Sequence, residues 1–309
     1  MTTTGCLVPA ARSGASTARR WVRAGVARAL GDVPSGLDAY REPAGDPGLF
    51  GPRSVAWQVH ADLPSLVVGG VSSLMLQTLH PLAMAGVAGH SRYRDDPFGR
   101  LQRTAAFVAG TTFGGRPVVD RLVAHVRATH LAVRGVAPDG RPYSASDPDL
   151  LTWVHTAEVW SFLRSYQRYG PRPLLRSEKD RYLAEVAEVA RLLGARDVPC
   201  SVDDVREYLR SVRPELAATD DAIDAVAFLR RPLGTRPADA AAHRVVAAAA
   251  VDLLPTFARR ALRLRPGSPL GAAAARSAGL GLALTVRWAL GPSLVREAAT
   301  GRVHAGGEP

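Results

Sequence analysis

The sequence predicts an all-α protein built as a single helical domain, and three observations support this. Ala, Leu, Val and Arg dominate, isoleucine is nearly absent and aromatic residues make up only 6%, a mixture that favours helices over strands. No stretch alternates apolar and polar residues as a half-buried strand does. Several stretches open with helix-start signals, most clearly Asp147-Pro148, a capping carboxylate followed by proline at the first helical position.

Start signals and breaks divide the chain into successive helices. Ser54 is placed to cap a short helix through His60, and Pro64-Ser65 begins a long apolar helix expected to end or bend at His80-Pro81. Further helices are expected at 98–109, 117–134, 149–169, 177–194 (opened by a capping box at Ser177), 201–212, 219–230, 237–264 (kinked at Pro255) and 271–299. Residues 31–53 and 135–146 are rich in turn-forming residues and are expected to be loops.

The length and composition fit one domain with a sizeable core. The chain has 309 residues, of which 47% are hydrophobic and 22% charged, as in ordinary globular proteins. We expect a basic, partly disordered N-terminal segment at 1–44, a helical domain at 45–300 and a disordered tail at 301–309.

The net charge of +11 does not indicate nucleic-acid binding. Lys179 is the only lysine, and the arginines are scattered with no run of five basic residues, whereas a nucleic-acid-binding protein carries a basic stripe. Cys6 and Cys200 are far apart and form no CxxC motif, so the sequence suggests neither a zinc site nor a disulfide framework, and a reducing compartment fits.

We expect a cytoplasmic protein with, at most, a peripheral membrane contact. Arg23 and Arg28 interrupt what would be the apolar region of a signal peptide. Residues 18–30 form a short basic amphipathic stretch, for which a frayed or peripheral helix is favoured over a membrane contact. The apolar stretch 63–89 lacks Asp, Glu, Lys and Arg but carries many other polar residues, which favours a core helix over a membrane span.

The residues best suited to chemistry follow that apolar stretch. Arg100, Arg103 and Thr104 stand at positions i, i+3 and i+4 of one predicted helix and share a face. Buried polar groups without partners are costly, so these side chains are expected either to satisfy one another or to face a ligand.

Four histidines lie in or beside predicted buried helices, at positions 80, 90, 130 and 155. Neutral imidazole is a common metal and haem ligand. For any single histidine a structural role is the simpler interpretation, but four of them beside the arginine–threonine face make a cofactor or substrate pocket about equally plausible. HExxH and paired di-iron motifs are absent from the sequence, and Glu158 is placed to orient His155.

Several motifs together resemble the MpaB / latex-clearing-protein (rubber oxygenase) family. They are the run from His80-Pro81 to RLxRT at 100–104, THLAVRG at 129–135, GRPYSASDPDLLTWVHTAEVWSFL at 140–163 and the helix ending ARLLG at 190–194. The resemblance covers about residues 45–215. It implies a globin-like helical core and an oxygenase that uses haem b and dioxygen to cleave double bonds of an apolar chain. Here we expect an isoprenoid or lipid as the hydrophobic substrate.

The resemblance also implies site residues. Arg100-x-x-Arg103-Thr104 matches the family helix whose arginine and threonine lie by the haem. The family has lysine where this chain has Arg103, and arginine does not readily deprotonate to bind iron. His130 is the best match to the proximal iron ligand, and His155 is the alternative. No clear match exists for the pocket glutamate of the rubber oxygenases.

Two other functions stay open at this point. One is a non-catalytic helical ligand-binding protein, in which the polar cluster is a structural network or a carrier site. The other is a non-haem metal oxygenase that uses His130, His155 and Glu158. The two differ from the haem oxygenase in colour and in metal content.

Overall fold

A computed structural model describes residues 10–31, 33–232, 236–264 and 268–306. The prediction about Cys6 lies outside these residues. The described residues form α1 (Ala10–Leu30), α2 (Val55–His60), α3 (Leu63–Gln77), α4 (Pro81–His90), α5 (Pro97–Phe113), α6 (Arg116–Ala132), α7 (Pro148–Tyr169), α8 (Arg176–Leu193), α9 (Val202–Ser211), α10 (Asp220–Arg230), α11 (Pro237–Leu253), α12 (Thr256–Ala261), α13 (Pro269–Leu290) and α14 (Leu294–His304). Two 3₁₀ helices lie at Val33–Tyr40 and Arg213–Glu215, and two short strands are β1 (Arg134–Val136) and β2 (Pro142–Ser144). The all-α prediction is therefore confirmed.

Side-chain caps start the helices where the sequence predicts them. The Ser54 hydroxyl accepts a hydrogen bond from Trp57 N at 3.2 Å, and the Asp96 carboxylate accepts one from Gly99 N at 2.9 Å. Asp147 likewise accepts from Asp149 N at 2.8 Å. Each cap satisfies a backbone N–H that has no partner inside its helix.

The pair formed by α3 and α7 is the centre of the fold and makes its most extensive helix–helix contact. Gly69 permits the close approach, because a Cβ there would lie 3.0 Å from Phe162 Cα and 3.1 Å from the Ser161 carbonyl oxygen. Met75 and Leu76 of α3 and Trp153 of α7 are completely buried. The predicted apolar helix is thus a core helix, and α2, α8, α10, α11 and α13 pack around the pair.

The chain turns sharply at the predicted break after the apolar helix. α3 ends at Gln77 and α4 starts at Pro81, with 106° between them. None of the described helices is by itself long and apolar enough to cross a membrane; α3 with α4, and α13 with α14, meet that length and composition only as pairs bent by 106° and 53°.

Four predictions of secondary structure differ from the structure. Residues 135–146, expected as a loop, contain the antiparallel pairing Arg134↔Ser144 and Gly135↔Tyr143; three-residue strands are too short to show an alternating pattern. The expected loop at 31–53 contains the 3₁₀ helix Val33–Tyr40.

The expected helix at 271–299 breaks at Gly291, where φ is 75°, a conformation that glycine adopts without strain. Helix α8 is preceded by Leu175 rather than capped by Ser177, and the Glu178 carboxylate accepts from Leu175 N at 2.8 Å.

The C-terminal helix extends past the domain boundary expected at residue 300. α14 continues to His304, and Arg302 is almost fully buried. Its guanidinium donates to the carbonyl oxygens of Tyr40, Asp46 and Phe113, each at 2.8 Å. These hydrogen bonds attach residues 301–304 to the body of the protein.

Candidate functional site

The predicted arginine–threonine face lies on the N-terminal half of α5. Arg100 is half-buried and donates a short hydrogen bond to Ser91 Oγ. Burial lowers its pKa, opposed by neighbouring Tyr93 and reinforced by Arg103. Arg103 is exposed and pairs with Asp96 at 3.3 Å, and the exposed Thr104 hydroxyl donates to the Arg100 carbonyl oxygen at 3.0 Å. Of the three, only the Arg100 side chain is partly withdrawn from solvent.

His130 lies in the last turn of α6, the helix that follows α5 after Gly114-Gly115. Its ring is half-buried, and its Nδ1 is buried with no hydrogen-bond partner. Burial lowers the pKa of the ring, so the imidazole is neutral at pH 7. His125 on the same helix is exposed.

His155 belongs to a separate buried polar cluster. It lies on α7 with its Nε2 buried and unpartnered. Burial lowers its pKa to about 4, helped by the positive charge of Arg191. The structure therefore places the two candidate iron ligands in different surroundings, His130 near the surface and His155 in the core.

His60 on α2 is the centre of this buried cluster. Its Nδ1 shares a hydrogen bond with Thr112 Oγ1 at 2.7 Å, and its Nε2 shares one with Tyr182 Oη at 3.0 Å. Phe162 packs edge-on against the ring, with centroids 5.5 Å apart. Burial, and the nearby His155, lower the pKa of His60 to about 3. Helices α2, α5, α7 and α8 thus meet around one neutral imidazole.

Glu158 adds an acidic group to the same region. Burial raises the pKa of this carboxyl to about 7, and its charge raises the already high pKa of the buried Tyr182 phenol. A carboxyl that holds its proton near neutral pH and lies close enough to a buried tyrosine to raise its pKa can donate or accept a proton at little cost. Glu158 therefore extends a cluster of protonatable groups, which we call the His60 cluster (His60, Thr112, His155, Glu158 and Tyr182).

The remaining two predicted histidines have structural surroundings. His80 is buried at the N-cap of α4, packs against Trp153 with centroids 6.2 Å apart and lies 3.6 Å from a Glu215 carboxylate oxygen. His90 ends α4 and is exposed, with its ring 6.2 Å from that of Tyr143. His90, predicted to lie in or beside a buried helix, is at the surface because α4 ends there.

Sequence reasoning missed His60, Thr112 and Tyr182. The three lie on different helices, up to 122 positions apart. For His60 the sequence offered one signal: it is the last residue of a short helix that Ser54 caps. Thr112 and Tyr182 had no such signal. The described residues contain no group of three or more His, Cys, Asp or Glu side chains able to hold a metal ion, so His130, His155 and Glu158 do not form the ligand set of the non-haem alternative.

Comparison with known proteins gives one match. The family model described as "ER-bound oxygenase mpaB/B'/Rubber oxygenase, catalytic domain" matches residues 57–289, which include the α5 face, His130 and the His60 cluster. No curated protein and no solved structure matches the chain. The family model spans well over half of the sequence, and the chain therefore belongs to the MpaB/rubber oxygenase catalytic-domain family.

Proposed function

We propose that this protein is a haem b-dependent oxygenase that uses dioxygen to cleave a double bond of an apolar isoprenoid or lipid. Membership of an oxygenase family supports the reaction class. The observation that carries the proposal is the half-buried, neutral imidazole of His130 in the last turn of α6. Such an imidazole has the protonation state that iron ligation requires.

His130 suits the proximal position better than His155 does. Both rings carry a buried nitrogen without a partner. His155, however, lies among tightly packed core residues, where a flat macrocycle would displace the α3–α7 packing. At the end of α6 a macrocycle would meet an open surface, to which Leu131 and Val136 contribute exposed apolar side chains.

Arg100 and Thr104 supply polar contacts on α5. The Arg100 guanidinium is charged at pH 7 and half-withdrawn from water, so it suits a carboxylate such as a haem propionate. The Thr104 hydroxyl lies on the same face and, being on a short side chain, can donate a hydrogen bond only to a group close to the helix. Arg103 pairs with Asp96, and because arginine does not readily deprotonate to bind a metal, it does not take the role of an iron-binding lysine. Haem b, when bound, would supply the activation of dioxygen.

The test is the absorption spectrum of protein purified after expression with a haem precursor. We expect a Soret band in the wild type and in His155→Ala, and its loss in His130→Ala. His125→Ala is the matched control, because this histidine is exposed on the same helix, and it should keep the band.

The contrary outcomes are equally specific. Loss of the band in His155→Ala alone would move the proximal ligand to the buried cluster. A colourless wild type despite sufficient haem would contradict the haem proposal, and metal analysis of that sample would then distinguish a metal enzyme from a ligand-binding protein.

A further inference from the structure

Helix α13 exposes an unusual amount of apolar surface. Leu280, Leu284 and Trp288 stand at positions i, i+4 and i+8 with 44%, 56% and 43% of their areas exposed, and Leu270 near the start of the helix is 83% exposed. Arg276 is the one charged residue on the exposed side of this helix, and Asp252 pairs with it. Exposed large apolar side chains in one stripe are typical of an interaction surface.

Helix α1 lies beside α13 and adds arginines to the same surface. Trp21 of α1 is 56% exposed and lies next to Arg236, whose guanidinium is 6.0 Å from the centre of its ring. The Arg19 guanidinium stacks 4.9 Å above the Trp288 ring, and Arg23 donates to the Ala289 carbonyl oxygen at 2.8 Å. We call this surface, made of the exposed sides of α1 and α13, the α1–α13 face.

The parts of the sequence that contain α1 and α13 carry charged side chains of positive sign only. Residues 1–31 and 253–296 contain no aspartate or glutamate. Within the described part of the chain, Arg19, Arg20 and Arg23 form no ion pair. Arg276 and Arg28 are paired with Asp252 and Asp239, so the unpaired positive charge beside the apolar stripe comes from Arg19, Arg20 and Arg23.

We propose that the α1–α13 face binds the surface of a lipid bilayer that contains anionic headgroups. Apolar side chains reach the acyl boundary, tryptophans favour the headgroup level, and arginines attract anionic lipids. The charge argues against a second copy of the chain as the occupant, because a twofold contact places the same surface on both sides. Arg19, Arg20 and Arg23 would then lie on both sides of the contact, while Asp239 and Asp252 are already paired with Arg28 and Arg276.

The test is flotation of the full-length protein with vesicles of phosphatidylcholine and phosphatidylglycerol, compared with phosphatidylcholine alone. We expect binding to the anionic vesicles, weaker binding at high salt because headgroup attraction is screened, and a blue shift of tryptophan fluorescence. Leu284→Ser should weaken binding on the order of tenfold. Arg19→Gln with Arg20→Gln should weaken it by at least about tenfold.

Leu175→Ser is the matched control, since Leu175 is 69% exposed but lies at the start of α8, outside the face. It should bind vesicles like the wild type, and circular dichroism should show that all variants stay folded. Absence of binding to anionic vesicles, or equal binding of wild type and Leu284→Ser, would overturn the proposal. A lipid-free dimer that Leu284→Ser dissociates would also overturn it, in favour of a second copy.

Discussion

Asp62 and Arg287, 225 positions apart, form a bidentate ion pair that joins the start of α3 to α13. Arg287 Nε lies 2.6 Å from Asp62 Oδ1, and Nη2 lies 2.7 Å from Oδ2. The two side chains are 7% and 21% exposed. The Asp62 carboxylate also accepts from Ser65 N at 3.3 Å, and Arg287 donates to the Tyr169 carbonyl oxygen. One largely buried pair thus caps the core helix and holds the C-terminal helices against it.

Asp62→Ala should destabilise the protein by about 3 kcal/mol, because it leaves the Arg287 guanidinium without its counter-charge and removes a helix cap. Urea unfolding followed by circular dichroism measures this. Asp203→Ala is the control, since Asp203 pairs with Arg176 and Arg206 at the surface, where ion pairs contribute little. Equal stability of the two variants would contradict the structural role of Asp62.

The hydroxyl of Tyr182 should stabilise the fold, whereas that of Tyr169 should not. Both tyrosines are fully buried. Tyr182 Oη bonds to His60, but Tyr169 Oη has no partner. Tyr182→Phe should therefore cost about 1–2 kcal/mol by leaving a ring nitrogen of His60 unsatisfied. Tyr169→Phe should be neutral or stabilising in the same unfolding experiment, and the reverse order would contradict the hydrogen-bond assignment.

Glu158 should make the protein less stable as the pH rises from about 4.5 to 7. The pKa of this carboxyl is about 7 in the folded protein, and unfolding returns it to its ordinary value near 4.5. The folded state therefore binds more protons in that window, and the free energy of unfolding falls with rising pH. Glu158→Gln should gain stability over the wild type at pH 8, with the difference disappearing near pH 4. A difference that does not vary with pH would contradict the raised pKa.

His155 should make the protein more stable as the pH rises, the opposite of the effect of Glu158. Its pKa is about 4 when folded and about 6.5 when unfolded, so the unfolded state binds more protons between these values. The stabilisation from its neutral form is lost as the pH falls from about 6.5 to 4. His155→Gln should show a shallower loss of stability over this range than the wild type. His125→Gln, at an exposed position on α6, should keep the wild-type slope.

The local signals in the sequence were sufficient for most helices. Ser54 and Asp147 cap their helices as predicted, because capping involves residues only two or three positions apart. Pro81 breaks the apolar segment for an equally local reason. The β1–β2 hairpin was missed because its three-residue strands are too short to show an alternating pattern. The break at Gly291 was missed although Gly291-Pro292 is a local turn signal.

The sequence by itself determined the helical class, the family and the positions of Arg100, Thr104 and His130 along their helices. Only the tertiary structure decided which histidines are buried together. His60 and Tyr182 meet because α2 and α8 pack together, and His155 on α7 is close enough to lower the pKa of His60. Such contacts between distant residues leave no local pattern. The tertiary structure also decided the protonation states of Glu158 and His155. Burial is the main cause of their pKa shifts, and burial is a property of the folded chain.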